Sequence, residues 1–226
     1  LNAMYSEYDR LVKMGRIVEI DKRVKQFIMR YADGIIVNVG AELDTMFSRM
    51  DNGRIRWYNV DMPETMELRR RMLESKDREQ NIGKSILDFT WLDSVKKNQG
   101  EAILFVCCDV TKYFTTKKLQ AFLDAIWQRF PGAEVLFDVK NSVGRKQANL
   151  KVLTGKKKGS FIKVSIDNCT SLMYDWNIKY RVLYDRAILN KEDITDMFSD
   201  DVARRYRHAI RRKYDKIIQL RLGTCL

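Results

Sequence analysis

The sequence is poor in the residues that interrupt or cross-link a chain. Its 226 residues include two prolines, eleven glycines and four cysteines. Such a composition excludes collagen-like and low-complexity disordered classes, and the length suffices for one well-filled domain without disulfide or metal staples. The cysteines show no framework spacing, which favours a reducing, cytoplasmic environment. They are Cys107, Cys108, Cys169 and Cys225.

Long apolar runs are also missing. The longest uncharged apolar stretch, residues 103–108, is far shorter than the roughly 20 residues of a membrane-spanning helix. No basic segment followed by an apolar one opens the chain, so neither a leader nor a membrane span is expected. Residues 1–3 precede Met4 and resemble an expression scar, and we expect residues 4–226 to form a single domain.

Acidic residues are outnumbered, and histidine occurs once. The chain has 42 basic and 30 acidic residues, a formal charge of +12. Residues 140–163 contain eight basic side chains and no acid. A protein that binds single-stranded nucleic acid would be expected to have aromatic residues between these basic ones, but Phe161 is the only aromatic residue in the segment. We interpret 140–163 as a solvated basic loop and disfavour nucleic acid as a partner. His208 lies among arginines, which favours a solvated basic helix over a catalytic role.

Helical and strand-like patterns alternate along the first two thirds of the chain. Periodic apolar residues predict a helix over 16–32, and the β-branched run 35–39 predicts a strand buried on both faces. Further strands are predicted at 54–61, 82–87, 102–107, 133–139, 178–183 and 217–222. One further helix is predicted to begin at Pro63, a second is predicted to be capped by Thr115, and a third is predicted near 191–212. This alternation predicts a doubly wound α/β sheet.

Polar residues follow three of the predicted strands. In an open parallel sheet, ligands bind beyond the carboxyl ends of the strands, so these residues are candidates for a binding site. Gly40 follows the first strand, Asp61 the second, and Asp88 with Phe89 the third. An acid about twenty residues after a glycine turn is suited to a ribose diol. The glycine pattern is incomplete, however, and Asp61 is equally suited to capping the helix at Pro63.

Several sequence blocks together resemble the leucine carboxyl methyltransferase family, including its bacterial branch of tetracenomycin-type polyketide O-methyltransferases. The resemblance rests on four blocks in the family's order. They are residues 37–45 (VNVGAELDT), 56–70 (RWYNVDMPETMELRR), 103–106 (ILFV) with Tyr113, and 130–138 (FPGAEVLFD). It covers residues 16–139 well and the remainder loosely.

The resemblance implies a class I S-adenosylmethionine-dependent methyltransferase fold, Rossmann-like, with a doubly wound, mostly parallel sheet of about seven strands. Residues 16–139 would then form the cofactor-binding core and 140–226 the C-terminal strands and substrate-side elements. The implied cofactor contacts place Arg16 on the methionine carboxylate, Gly40 and Ala41 near the methionine, Asp61 on the ribose, and Met62, Asp88 and Phe89 around the adenine. Tyr113 would contact the substrate.

The implied function is transfer of a methyl group to a carboxylate or phenolic hydroxyl of a small molecule or peptide terminus. Such chemistry depends on positioning and desolvation, so no dedicated catalytic base is assigned. The vicinal pair Cys107–Cys108 is interpreted as a buried strand end, with no metal expected.

The sequence departs from the family at two positions on the cofactor side. Glu42 stands where the family has glycine, and Cys108 where it has a glutamate; both side chains would face the cofactor. The short segment before Arg16 predicts an open pocket. Two alternatives remain: a degenerate methyltransferase-fold protein that acts as a binding or interaction module without activity, and a nucleic-acid partner that uses residues 140–163. The oligomeric state is open.

Overall fold

The computed structural model describes residues 7–74, 76–155, 159–189 and 199–223. Within these ranges seven strands form one sheet in the order β3-β2-β1-β4-β5-β7-β6. The strands are β1 (Ile35–Val39), β2 (Arg56–Asp61), β3 (Glu79–Gly83), β4 (Ile103–Cys107), β5 (Glu134–Lys140), β6 (Tyr180–Ala187) and β7 (Asp215–Leu222). The helices are α1 (Glu7–Arg30), α2 (Met46–Met50), α3 (Pro63–Met72), α4 (Thr116–Arg129), α5 (Ser142–Leu153), α6 (Cys169–Trp176) and α7 (Asp200–Arg212).

Strands β1 to β5 pair in parallel, whereas β7 runs antiparallel to both of its neighbours, β5 and β6. Every residue of β1 and β4 is buried, because helices cover both faces of the sheet. Because β1 to β5 are parallel, the carboxyl ends of β1, β2, β4 and β5 lie at one edge of the sheet, where ligands of such sheets bind.

The two faces of the sheet have separate apolar layers. On one face, Ile20 and Phe27 of α1 pack with Phe47 of α2 and Tyr206 of α7. On the other face, α4 and α6 pack with a short 3-10 helix, Phe89–Ser94. Helix α4 is typical of these layers: Thr115 caps it by accepting a hydrogen bond from the Lys118 amide, and its apolar stripe is buried.

Three predictions from the sequence need correction. The helix predicted at 16–32 begins earlier, at Glu7, and ends at Arg30. The strand predicted at 82–87 is wrong, because β3 spans Glu79–Gly83 and the following residues turn toward the 3-10 helix. The basic segment 140–163 is not simply a loop, since Ser142–Leu153 form α5, capped by Asn141 through the Gly144 amide. Part of the helix predicted near 191–212 lies outside the described residues.

Helix α5 is docked by a backbone contact. A Cβ atom on Gly144 would lie 2.5 Å from the carbonyl oxygen of Tyr214. Because no side chain fits between these backbones, the glycine lets α5 pack directly against the start of β7. None of the helices in the described ranges is long and apolar enough to span a membrane.

Candidate active site

The turn after β1 is built from backbone in unusual conformations. Gly40 has a φ of 73°, donates its amide hydrogen to Val60 O (2.8 Å), and would bring a Cβ within 2.5 Å of the Val110 side chain. Ala41 is buried, and Glu42 is exposed with a φ of 42°. The left-handed conformation expected for the family's glycine is thus present, and Glu42 adopts it at a cost of about 1–2 kcal/mol.

The carboxylate of Asp61 joins this turn to the end of β2. Its Oδ2 accepts the Glu42 amide (2.9 Å) and its Oδ1 accepts the Met62 amide (2.7 Å). Met62 is itself the residue at the start of α3, so Asp61 does not bond the first-turn amides as a helix cap would. Each oxygen keeps a further lone pair for an additional donor.

Arg69 is a positioning residue that the sequence reasoning did not single out. It is buried, and its Nη1 donates to the carbonyls of Asp44 (2.7 Å) and Glu42 (3.2 Å). Its Nη2 forms an ion pair with Glu79 of β3 (2.8 Å). One arginine therefore fixes the β1 turn to α3 and β3. The only available signal was its place in the block 56–70.

Asp88 and Phe89 lie in the next loop along the same edge. Asp88 caps the 3-10 helix by accepting the Thr90 hydroxyl (2.8 Å) and amide (3.2 Å), and these hydrogen bonds lower the pKa of its carboxyl. Lys84 links this loop to β2, because its amide donates to Asp61 O (2.9 Å) and its ammonium to Thr90 (2.8 Å). The Phe89 ring packs on Phe122, with centroids 5.9 Å apart.

Arg16 lies at the ends of β4 and β5, between two carboxylates. Its Nη1 is 2.8 Å from Asp109 Oδ1, and its Nε is 3.1 Å from Asp138 Oδ2. The Asp109 amide donates to Asp138 Oδ1 (2.6 Å), and Asp109 has a φ of 59°. The resemblance implied Arg16 as a partner of the cofactor carboxylate, but it did not indicate these two acids.

The pKa values of the two acids, Asp109 and Asp138, are shifted in opposite directions. Burial raises the pKa of Asp138, and the Asp109 charge raises it further, against the opposing effect of Arg16. Burial also acts to raise the pKa of Asp109, but Arg16 and Lys112 more than offset it, so that pKa lies below its usual value. The pKa values of the two acids are therefore shifted apart, that of Asp138 upward and that of Asp109 downward.

The vicinal cysteines do not form a reactive centre. Cys107 ends β4 and is buried, as interpreted from the sequence, and burial raises its pKa. Cys108 is half-buried, and burial, with a contribution from Asp138, raises its pKa to about 12. Both are thiols at neutral pH. Within the described ranges, no group of three or more His, Cys, Asp or Glu side chains is arranged to hold a metal ion.

A cavity of about 350 Å³ opens beside Arg16. The start of α1, the residues after β4, the end of β5, α5 and the start of β7 form its wall. Arg16 and Tyr113 are the two sequence-predicted residues that line it; the other eight, Gly40, Ala41, Glu42, Asp61, Met62, Asp88, Phe89 and Cys108, do not. The site thus has two halves, a polar edge at β1 and β2 and a cavity at β4 and β5.

Residues 10–127, more than half of the chain, match the sequence profile of the leucine carboxyl methyltransferase family. The chain belongs to this family. The chain is also similar to the tetracenomycin polyketide synthesis O-methyltransferase TcmP of Streptomyces glaucescens, to which it is 28% identical over 131 residues. That alignment covers 58% of this chain and 48% of TcmP, so the chain spans about half the length of this curated relative.

Solved structures confirm the fold prediction for this family member. The magnesium protoporphyrin IX methyltransferase of Synechocystis with bound SAH has a TM-score of 0.59 at 10% identity, covering 97% of this chain and 89% of that one. A DUF574-family protein of Streptomyces avermitilis has a TM-score of 0.65 at 7% identity, covering 93% and 83%. The fold is thus the Rossmann-like α/β fold of class I methyltransferases.

Proposed function

We propose that this protein is an S-adenosylmethionine-dependent O-methyltransferase that transfers a methyl group to a carboxylate or phenolic hydroxyl of a small molecule or peptide terminus. The main support is the position of Asp61. Its carboxylate stands at the end of β2, held by the amides of Glu42 and Met62, with lone pairs left for two ribose hydroxyls. Family membership and the fold agree with this use of the edge.

The residues at this edge fit the cofactor. Asn38, two residues before Gly40, has a buried Nδ2 with no hydrogen-bond partner in the described part of the chain, which leaves a donor available at the end of β1. Buried donors of this kind normally have a partner. We assign Asp61 to the ribose, Met62 and Phe89 to the adenine with Asp88 at its rim, and the turn of Gly40, Ala41 and Glu42 to the methionine.

Arg16 is assigned to the cofactor carboxylate, which it would hold alongside Asp109. Cys108 is assigned to the wall between Arg16 and the β1 turn. The cofactor supplies a methyl group activated by a sulfonium. The chain's own contribution is to hold the acceptor oxygen in line with that methyl group and to exclude water. The cavity beside Arg16 is the proposed place for the acceptor, which is consistent with residues 140–226 as substrate-side elements.

Calorimetric titration with S-adenosylmethionine and, separately, S-adenosylhomocysteine tests this proposal. We expect micromolar binding of both. Asp61→Ala should weaken binding by about 1–3 kcal/mol, because a charge-assisted hydrogen bond is lost. Asp33→Asn is the matched control, since it removes an equal charge from an exposed side chain at the other end of the sheet. A folded protein that binds neither compound at millimolar concentration would refute the proposal and favour a binding module without activity.

A further inference from the structure

Asp109 lies where the two halves of the site meet. Its side chain lines the cavity beside Arg16 and is 44% exposed. The next residue, Val110, reaches the turn after β1, since a Cβ on Gly40 would lie 2.5 Å from the Val110 side chain. The amino acid part of the cofactor is assigned to this turn and to Arg16. A ligand group held between Gly40 and Arg16 therefore lies near the Asp109 carboxylate.

The Asp109 carboxylate has room for a further donor. Its Oδ1 is 2.8 Å from Arg16 Nη1, and its Oδ2 is 2.6 Å from Lys112 Nζ. An ionised carboxylate offers about four lone-pair sites on its two oxygens, so these two contacts leave acceptor sites open. Burial acts to raise the pKa of Asp109, but Arg16 and Lys112 outweigh it, so the carboxyl is charged at neutral pH. Such a group attracts an ammonium and accepts its hydrogen bonds.

The backbone of Asp109 is fixed in a conformation that is typical of ligand sites. Its φ is 59°, in the left-handed region that residues other than glycine adopt at a cost. The hydrogen bond from its amide to Asp138 Oδ1 (2.6 Å) holds the residue in this conformation. Residues held in such strained conformations cluster in active sites and ligand clamps. The aim of the Asp109 side chain is thus set by the sheet before any ligand binds.

The charges beside Arg16 suit a group with one charge of each sign. The described residues that line the cavity include slightly more basic than acidic side chains, and ion pairs join several of them. An α-amino acid group has one carboxylate and one ammonium, so it adds no net charge to this wall. A guanidinium has five N–H donors, more than the contacts of Arg16 with Asp109 and Asp138 use. Arg16 therefore keeps donors for the carboxylate of such a group.

We propose that Asp109 binds the ammonium group of the cofactor's amino acid part, so that Arg16 and Asp109 together hold both of its charges. The inference rests on the proposed function, and it makes Asp109 a cofactor-binding residue. Because the carboxylate and the ammonium share one carbon atom, fixing both restricts rotation of the group. The sulfonium, two methylene groups away from that carbon, is then positioned between the β1 turn and the cavity proposed for the acceptor.

The test compares S-adenosylhomocysteine with two analogues by calorimetric titration into the full chain. Deamino-S-adenosylhomocysteine has hydrogen in place of the ammonium group, and methylthioadenosine lacks both charged groups. We expect the wild type to bind S-adenosylhomocysteine at least about tenfold more tightly than the deamino analogue, because a charge-assisted hydrogen bond is lost. Asp109→Asn and Asp109→Gly should each reduce this ratio to within about threefold. Asp33→Asn, at the other end of the sheet, should retain the wild-type ratio.

The affinity for the deamino analogue separates recognition of the ammonium from a structural role of Asp109. This analogue keeps its carboxylate for Arg16, so both Asp109 variants should bind it at least as tightly as the wild type does. Glycine suits the positive φ at this position, so Asp109→Gly guards against a fold defect in Asp109→Asn. If both variants instead weaken the deamino analogue as much as S-adenosylhomocysteine, Asp109 acts only by placing Arg16, and the inference is wrong.

Methylthioadenosine reports on the proposed function alone, because its adenine and ribose are assigned to the edge at Asp61. If it binds but the wild type does not distinguish S-adenosylhomocysteine from the deamino analogue, the inference is wrong and the proposed function is not. The same holds if the tenfold ratio persists in both Asp109 variants. If the folded protein binds none of the three ligands, both proposals are wrong.

Discussion

Strand β5 has a buried carboxylate near each end, and α1 supplies an arginine to each. At the amino end, Glu134 receives both Nη atoms of Arg30 (3.0 and 2.9 Å), Gln219 (2.6 Å) and Arg221 (2.8 Å). Hydrogen-bond donors surround this single acid. Burial alone would raise the pKa of Glu134, but the bonds from Arg30 and Arg221 outweigh it and lower that pKa.

The carboxyl end of the same strand has the opposite balance. Asp138 shares one arginine, Arg16, with a second acid, Asp109, whose backbone is left-handed. The pKa of Asp138 is raised by burial. Two ends of one strand thus use the same residue types for different purposes. The satisfied cluster stabilises the sheet, whereas the acid-rich, strained cluster borders the cavity.

Replacing each of the two arginines in turn should give the largest difference in free energy of unfolding between the two ends of β5. Arg16→Met leaves the buried Asp138 without its cation and should lower the free energy of unfolding by about 3–5 kcal/mol at pH 7. Arg30→Met should cost only about 1 kcal/mol, because Glu134 keeps Arg221 and Gln219. Urea denaturation of both variants measures the difference. Equal losses would mean that the two ends are equivalent.

Gly144→Ala tests the packing at the carboxyl end. The new Cβ would lie 2.5 Å from Tyr214 O, a backbone atom that cannot rotate away, so we expect a loss of about 2–3 kcal/mol in urea denaturation. Gly100→Ala is the control: it has positive φ (81°) but open space, and should cost about 1–2 kcal/mol through backbone strain alone. A smaller loss for Gly144→Ala than for the control would show that α5 shifts easily.

The pH dependence of stability should have opposite signs at the two ends. Because the pKa of Glu134 is lowered on folding, its contribution is present above about pH 4.3 and is lost on acidification. Wild type should therefore lose its advantage over Glu134→Gln as the pH falls. Because the pKa of Asp138 is raised, its contribution to stability decreases as the pH rises above about 3.9. The stability of the wild type should therefore fall relative to that of Asp138→Asn as the pH rises above about 3.9, which denaturation between pH 3 and 7 would measure.

The smallest expected effect concerns the β1 turn. Glu42→Gly removes a side chain from a residue at φ 42° and should stabilise the protein by about 1 kcal/mol, after the entropy of the unfolded glycine is subtracted. A thermal denaturation series measures it. A loss of stability would instead mean that the Glu42 side chain contributes contacts of its own.

The sequence was informative where burial dictates residue type. Strands β1, β4 and β5 were predicted within one residue at each end, because strands buried on both faces are apolar and β-branched. The edge strand β3 was misplaced, because its residues Glu79, Gln80 and Asn81 are polar and only half-buried or exposed. Helix α5 was missed because Gly144 is its one buried residue, so no apolar stripe marks it.

The candidate site likewise contains residues that the sequence could indicate and residues that it could not. Gly40 and Asp61 could be found because a strand end and a known residue block place them. The cluster of Arg16, Asp109 and Asp138 could not, because its members are 29 to 122 residues apart in sequence and meet only through the pairing of β4 with β5. Asp138 gave one available signal, since it is an acid between the apolar residues Phe137 and Val139 of a buried strand.

The backbone contact between Gly144 and Tyr214 has a consequence for how the range of ligands that fit the cavity can change. A helix seated on a carbonyl oxygen has little freedom to slide or tilt, so the outline of the cavity on that side is fixed by main chain. New ligands must then be accommodated by exchanging side chains on a fixed main chain. Gln147 and Lys151, one helical turn apart on the cavity wall, are the positions at which directed evolution should start.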